Sequence, residues 1–535
     1  MQSNMMDRPL MLDHLVERAA ELFPTVEVVS QMPDKSLRRH PYRDVHARVR
    51  SLAAGLRRAG LAPGDRVATL MWNHHAHLEA YFGVPMAGGV YHTLNLRLSP
   101  EEVTYIVNHA EDRFLIVDDV LLPLLERFVG NVRFEKIFVV SLAGKGPGPY
   151  EDYESLIEGG SDDFEPPPPD ENRAAGLCYT SGTTGHAKGV SYSHRALVLH
   201  SFAAAMKDTL ALGQEDVVLP VVPQFHVNAW GLPFTCAMVG CKQVFPGPHL
   251  DPESLLDLYE KERVTLSAGV PTIWFGIQQA LEKEPERWKL TPGMRMVVGG
   301  SAAPEAMIRR FDELGLRVIH AWGMTETTPL GSVSTLKATL ADADEDTKYR
   351  VRAKQGVAVP FVEMRIMGEE GPVPKDGKSM GELEVRGPWV AGSYYRTDEG
   401  KDKWTDDGWF RTGDVVTIDE HGYMHIADRT KDLIKSGGEW ISSVALENLL
   451  MAHPAVAEAA AIAIPDPKWG ERPLAVVVFH EGKSATSDEL RTHLSEHFPK
   501  WALPDAFAVR DAIPRTSTGK FLKRALRDEY KDFQS

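Results

Sequence analysis

Residues 179–189 read Tyr-Thr-Ser-Gly-Thr-Thr-Gly-His-Ala-Lys-Gly. Gly182, Gly185 and Gly189 permit positive φ and let a ligand approach the backbone closely. Ser181, Thr183 and Thr184 supply hydroxyl donors, and Lys188 supplies a cation. Backbone N–H groups and hydroxyls gathered around a cation suit a chain of phosphates. A flexible Ser/Thr/Gly surface loop has the same composition, so the segment by itself leaves both readings open. It is not a Walker loop, because the G-x-x-x-x-G-K-[ST] spacing is absent. Other groupings carry weaker chemistry. His74, His75 and His77 lack cysteines or carboxylates at ligand spacing, which predicts a surface patch rather than a metal site. Cys236 and Cys241 have the wrong spacing for a zinc pair and are expected in the core. Residues 144–148 (GKGPG) fail the dinucleotide pattern. Residues 341–346 (ADADED) lack the glycine and terminal glutamate of an EF-hand and predict a solvated loop.

The elements that must position these groups alternate. Leu12, Leu15, Val16, Ala19, Leu22 and Phe23 recur at helical spacing until Pro24. A second helix is predicted over residues 45–59, stopped by Gly60. Short apolar runs at 67–71, 114–117, 137–140, 217–219 and 296–298 read as buried strands. Such strands between helices indicate parallel sheets in an α/β protein. Residues 161–172 (SDDFEPPPPDEN) predict a stiff surface connector just before the phosphate-loop candidate. The last hundred residues predict a small α+β unit, with helices near 443–451 and 487–498, strands near 474–479 and 506–509, and an apolar stretch at 456–464.

Composition bounds the function. The 535 residues are 43% hydrophobic and 25% charged, which excludes a wholly disordered chain. With 59 basic against 75 acidic residues the net charge is −16, which argues against a nucleic-acid partner. Three cysteines cannot build a disulfide framework and fit a reducing compartment. No signal-peptide pattern, run of 18 apolar residues or C-terminal address is visible, so a cytoplasmic protein without a membrane span is expected.

Seven segments in order, the phosphate-loop candidate and six that follow it, resemble the adenylate-forming superfamily of acyl-CoA synthetases, luciferases and peptide-synthetase adenylation domains. The phosphate loop matches closely, with Ala187 where proline is usual. Val222-Pro-Gln-Phe-His226-Val227-Asn-Ala-Trp230 resembles the acyl-site segment. Gly299-Gly300-Ser301-Ala302-Ala303 and His320-Ala321-Trp322-Gly323-Met-Thr325-Glu326 resemble nucleotide segments. Trp409–Asp414 (WFRTGD) resembles the ribose motif, Asp428–Asp432 (DRTKD) the hinge, and Pro514–Lys520 (PRTSTGK) the catalytic-lysine motif. The strings HVNAW, KSGGEWISS and PRTSTGKFLKRALR are most similar to bacterial medium- and long-chain fatty-acyl-CoA synthetases. Methylthiopropionate-CoA ligases share the first two.

The resemblance implies two steps. A carboxylate attacks the α-phosphate of ATP to give acyl-AMP and pyrophosphate; the thiol of coenzyme A then displaces AMP. Both steps need alignment and charge stabilisation more than a covalent nucleophile. Lys520 is implied as the adenylation catalyst, a compact cation bridging carboxylate and α-phosphate. Thr325 would contact that phosphate, and His226 would orient or gate the acid. Glu326, with Thr180, would hold Mg²⁺. Thr180, Ser181, Gly182, Thr183, Thr184, Gly185 and Lys188 would cradle the phosphates. Gly300, Ser301 and Ala302 with His320, Ala321, Trp322 and Gly323 would surround adenine. Asp414 would accept the ribose hydroxyls, Arg429 would hold ribose or phosphate oxygens near the junction, and Lys431 sits at the hinge. Val227 and Trp230 would line the acyl path, and Lys435, Gly437, Gly438 and Trp440 the pantetheine path. The implied fold is α/β: a large multi-subdomain N-terminal adenylation domain (1–428), a hinge (429–431) and a small mobile α+β C-terminal domain (432–535), with a homodimer as the assembly. The expected function is ligation of a medium- or long-chain fatty acid to coenzyme A. Alternatives are a short-acid ligase, such as one for methylthiopropionate, and a non-catalytic acyl- or nucleotide-binding protein on the same scaffold.

Overall fold

The structure, a computed structural model, describes residues 4–180, 186–368, 370–437, 439–515, 521–531 and 533. They divide into two compact units. One comprises residues 4–180, 187–362 and 386–404, and the other His186 with the described residues of 363–385 and 405–533.

The first unit is built on two sheets. In the nine-stranded sheet the strands Val217–Pro220, Lys242–Phe245, Leu266–Gly269, Arg295–Val298 and Arg317–Gly323 run parallel, with Glu27–Gln31 alongside Lys242–Phe245. In the seven-stranded sheet the parallel strands Arg66–Leu70, Val90–Thr93, Asp112–Asp118, Lys136–Val140 and Ala174–Tyr179 end on an antiparallel edge strand, Gly189–Ser193. The five strands read from apolar runs are present, each within a residue or two of its expected bounds. They are apolar along their whole length because helices cover both faces of a parallel sheet. Helix ends follow side-chain chemistry. Ser99 and Glu102 form a reciprocal capping box, and Ser193 and Asp251 accept the N–H groups of Ala196 and Ser254. Asp344 likewise caps the helix Glu345–Arg352, so the acidic stretch expected as a plain solvated loop starts a helix.

The histidine cluster corrects the sequence reading. His74, His75 and His77 are buried, at the start of the helix His75–Met86, in which every residue is buried. Partners on neighbouring elements make this tolerable. His74 Nε2 lies 2.9 Å from Asp118, His77 Nε2 lies 2.9 Å from the Thr69 hydroxyl, and the His75 amide donates to Ser30. Burial pulls His75 well below the usual histidine range and His77 down to about 3. Cys236 and Cys241 are buried, as expected. Residues 161–172 form an irregular and largely exposed connector, also as expected.

The second unit contains a five-stranded sheet, ordered Gly371–Pro372, Glu363–Gly368, Gly381–Arg386, Phe410–Ile418, Met424–Arg429. Its other sheet pairs the long strands Val456–Asp466 and Gly470–Phe479, with Ala506–Val509 parallel to the latter and the helices Ser443–Met451 and Ser487–Ser495 nearby in the chain. The predicted α+β order of the last hundred residues is present. The second predicted helix stops at Ser495, three residues before its expected end.

Candidate active site

The phosphate-loop candidate connects two antiparallel strands, in which Tyr179 pairs with Gly189. Its base is pinned twice: the Thr180 N–H donates to the Lys188 carbonyl at 2.9 Å, and the Lys188 N–H donates to Thr180 Oγ1 at 3.1 Å. Ser181, Gly182, Thr183, Thr184 and Gly185 lie outside the described residues. The Lys188 ammonium sits 5.8 Å from the centre of the Tyr394 ring and 3.6 Å from Glu399. The Tyr394 hydroxyl donates to Glu326 Oε1 at 2.6 Å, and Glu326 is buried. Tyr394 therefore joins the loop's cation to the carboxylate expected to hold Mg²⁺. Burial raises the Tyr394 phenol, and the Glu326 charge raises it further, so the hydroxyl stays a donor. Thr325 is fixed through its carbonyl, which accepts the Tyr192 hydroxyl at 2.8 Å. Among the described residues no group of three His, Cys, Asp or Glu side chains could hold a metal. A magnesium ion at Glu326 would take its remaining ligands from phosphate and water, which is how Mg²⁺ is commonly bound.

The sheet order explains why segments far apart in sequence belong together. The parallel strands Val217–Pro220, Arg295–Val298 and Arg317–Gly323 all end at one edge of the sheet. From that edge emerge the acyl-site segment with His226, the 299–303 turn, and the run from Gly323 to Glu326. Ligands of open α/β sheets bind outside such carboxyl ends. One contact confirms the convergence: a Cβ on Gly299 would lie 2.9 Å from the Trp230 ring, so the indole occupies the space a side chain would need. Gly300 has φ 78°, beginning the turn that carries Ser301 and Ala302. The Trp322 ring lies across Gly331, and Ala321 pairs with Val333. His320 is one step further inside the strand, with Nδ1 3.0 Å from the Ala353 carbonyl.

The acyl-site segment has an unusual backbone. Val227, Asn228, Ala229, Trp230 and Gly231 all have positive φ, from 42° to 74°, directly after His226 at φ −118°. A left-handed conformation costs about 1–2 kcal/mol for a residue other than glycine, so four in succession require support from their surroundings.

The remaining candidates lie in the second unit. Asp414 is buried and forms an ion pair with Arg429 at 2.5 Å, across the register of two antiparallel strands. Lys431 stands two residues past the strand end. The Lys435 ammonium sits 5.3 Å from the Trp440 ring centre on a short hairpin, where Gly437 turns beneath the Trp469 ring. Gly438 and Lys520 lie outside the described residues. Nearby in the chain, Lys523 is buried, 2.6 Å from Glu447 and 2.6 Å from the Ser443 hydroxyl, and the Ser443 N–H donates to Asp428 at 2.5 Å. Burial pushes Glu447 up to about 7 against the pull of Lys523. Burial alone would lower Lys523, but Glu447, Asp428 and Asp432 together hold it above its ordinary value.

Sequence reasoning missed Tyr394, Tyr192 and Glu399. None stands in a recognisable spacing with its partner: Tyr394 is 68 residues from Glu326 and Tyr192 is 133 from Thr325.

A family model described as AMP-binding enzyme matches residues 16–395, and a second, AMP-binding enzyme C-terminal domain, matches residues 445–520. The chain belongs to the AMP-binding enzymes. It is 52% identical over 534 residues to a long-chain-fatty-acid–CoA ligase of Thermus thermophilus, covering 99% of this chain and 97% of that one. It is 45% identical over 540 residues to a medium-chain-fatty-acid–CoA ligase of Ectopseudomonas oleovorans, covering 99% and 98%. It is 46% identical over 540 residues to a 3-methylmercaptopropionyl-CoA ligase of Ruegeria lacuscaerulensis, covering 99% of each. Among solved structures it is similar to the anthranilate CoA ligase AuaEII with anthranoyl-AMP, at TM-score 0.85, 25% identity and 98% coverage of each chain. It also resembles the o-succinylbenzoate CoA synthetase of Bacillus subtilis with ATP and magnesium, at TM-score 0.79, 25% identity and coverage of 96% and 99%. Like these AMP-binding enzymes the chain is a mixed α/β protein, and no helix among its described residues is long and apolar enough to cross a membrane.

Proposed function

We propose that this AMP-binding enzyme joins a medium- or long-chain fatty acid to coenzyme A through an acyl-adenylate, releasing AMP and pyrophosphate. The observation that carries the reading is the Lys188–Tyr394–Glu326 contact. It sets a loop cation and a buried carboxylate on two sides of one tyrosine, the pairing a magnesium-bound triphosphate needs. The acid class is supported by the two fatty-acid ligases among the relatives and by the acyl-site segment, where Phe225, His226, Val227 and Asn228 offer no acid to hold a substrate ammonium. Each CH₂ of a fatty chain buried there adds about 0.8 kcal/mol of binding.

In this account Mg²⁺ neutralises phosphate charge when bound at Glu326. Thr180, Ser181, Gly182, Thr183, Thr184, Gly185 and Lys188 hold the phosphates, and Thr325 the α-phosphate. Ala321 and Trp322 with the 299–303 turn surround adenine. Asp414 accepts the ribose hydroxyls, and Arg429 beside it holds ribose or phosphate oxygens. His226 orients the acid, Lys520 stabilises charge as the adenylate forms, and Lys435, Gly437, Gly438 and Trp440 border the pantetheine path. Residues 429–431 are the proposed hinge for a mobile 432–535 domain; a homodimer and a cytoplasmic location complete the proposal.

A short-acid reading has one observation in its favour, the 46% identity to the methylmercaptopropionyl-CoA ligase. AMP release measured with ATP, Mg²⁺ and straight-chain acids from propionate to stearate, with and without coenzyme A, separates the two. CoA-dependent turnover that peaks at medium or long chains supports the proposal, and a peak at the shortest acids replaces it with the second reading. Absence of AMP with every acid would leave the non-catalytic alternative.

A further inference from the structure

We propose that Tyr91 and Asn228 are positioning residues for acyl selection: the hydrogen bond between them holds the left-handed turn that sets Trp230 against Gly299. The proposal rests on the reading above that this turn lines the acyl site.

The turn is supported from one side by the seven-stranded sheet and its neighbouring helix. Tyr91 donates its hydroxyl to Asn228 Oδ1 at 2.9 Å, and both side chains are fully buried. Asparagine is the residue other than glycine that best tolerates the left-handed region, because its short polar side chain can bond locally. Here that side chain reaches outward to Tyr91, and its Nδ2 has no partner among the described residues. Among the described residues the Tyr91 hydroxyl is thus the side chain's one hydrogen-bond partner. The N–H groups of Val227 and Asn228 face the buried Cys178 thiol, and the Phe225 carbonyl accepts the Thr93 hydroxyl at 3.2 Å. The Tyr81 hydroxyl donates to the Gln224 carbonyl.

Tyr91 is itself locked. Its ring stacks on Tyr81, with centroids 4.6 Å apart, and lies over Gly176, where a Cβ would come within 2.4 Å of the phenol carbon. Two stacked tyrosines therefore grip residues 224–228 at both ends. The far end of the same turn carries Trp230, whose ring fills the space over Gly299. Displacing Asn228 moves Trp230 and the backbone that follows His226, while Thr180, Lys188 and Glu326 are held by other contacts. The expected signature is altered acid selection with unaltered nucleotide binding.

Tyr91→Phe removes the hydroxyl and keeps the stacked ring. It should raise KM for the preferred acid by about threefold to tenfold, shift the chain-length profile, and leave KM for ATP unchanged. Asn228→Ala should do the same, and the double variant should be no worse than Asn228→Ala, because both single changes remove one bond. Trp230→Ala serves as the reference and should change the profile most. If Trp230→Ala alters the profile but neither Tyr91→Phe nor Asn228→Ala does, the inference is overturned and the acyl-site reading stands. If Trp230→Ala leaves the profile intact, the acyl-site reading fails and the inference falls with it. A Tyr91→Phe protein with lowered Tm and normal acid KM would assign the bond a purely structural role and also overturn the proposal.

Discussion

Replacing Tyr394 with phenylalanine deletes one oxygen from the contact that orients Glu326. The bond is 2.6 Å long, the carboxylate is buried, and the donor is a phenol kept protonated by its surroundings. A hydrogen bond to a charged group is worth about 1.5–3 kcal/mol, which is roughly tenfold to a hundredfold in an equilibrium constant. Loss of an outer partner of a metal-binding carboxylate weakens metal affinity by about the same factor. The ring remains beneath Lys188, so the phosphate loop keeps its contact. Tyr394→Phe should therefore raise the Mg²⁺ concentration giving half-maximal AMP release by that factor, while turnover at saturating Mg²⁺ stays near that of the parent. The assay is steady-state AMP production titrated with MgCl₂ at fixed ATP and acid. An unchanged Mg²⁺ requirement would refute the assignment of Glu326, and a loss of turnover that no Mg²⁺ concentration restores would show that Tyr394 acts elsewhere.

Lys520→Ala should slow acid-dependent ATP–pyrophosphate exchange by roughly 10²–10³ and affect thioester formation from supplied acyl-AMP less; equal losses in both half-reactions would contradict its role. Lys523→Met leaves Glu447 buried without its cation, a change costing about 3–5 kcal/mol. Because the Glu447 carboxyl already sits near 7, it escapes part of that cost by protonation, so the loss of stability in urea should widen between pH 6 and pH 8. A pH-independent loss would count against the ion pair. His77 is held near 3 by burial, whereas an unfolded histidine titrates near 6.5. Between those values the unfolded chain binds more protons, so His77 costs stability as pH falls, by about 1.4 kcal/mol per unit. Asp13 and Glu447, both raised to about 7 by burial, act in the opposite direction. The diagnostic is therefore a difference: His77→Gln should lose stability less steeply than the parent on acidification from pH 6.5 to 5, and parallel slopes would refute the argument.

The parallel strands were legible because burial on both faces writes itself as an uninterrupted apolar run, whereas the phosphate-loop candidate was readable only as chemistry, since residues 181–185 lie outside the described residues. The histidine helix was misread for the complementary reason. His74, His75, His77 and Glu79 look like surface residues, and their burial depends on partners from other elements: Asp118 for His74, Ser30 for His75, Thr69 for His77, and Arg48 and Tyr153 for Glu79. Distance along the chain hid Tyr394 and Tyr192. A tyrosine announces no partner, and its role at Glu326 or Thr325 exists only once the sheet order has brought the segments together. Resemblance located the residues of the left-handed turn after His226 without revealing their backbone. No composition of Val, Asn, Ala and Trp signals four positive φ angles, because that conformation is imposed by tertiary contacts through Tyr91 and its neighbours.

The central claim is an acyl-adenylate formed before coenzyme A is used. ATP–pyrophosphate exchange, followed with labelled pyrophosphate in the absence of coenzyme A, tests it most directly. The account predicts exchange that depends on a medium- or long-chain acid and on Mg²⁺, with sustained AMP release appearing only when coenzyme A is added. Acid-independent exchange, or ADP as the product, would contradict it.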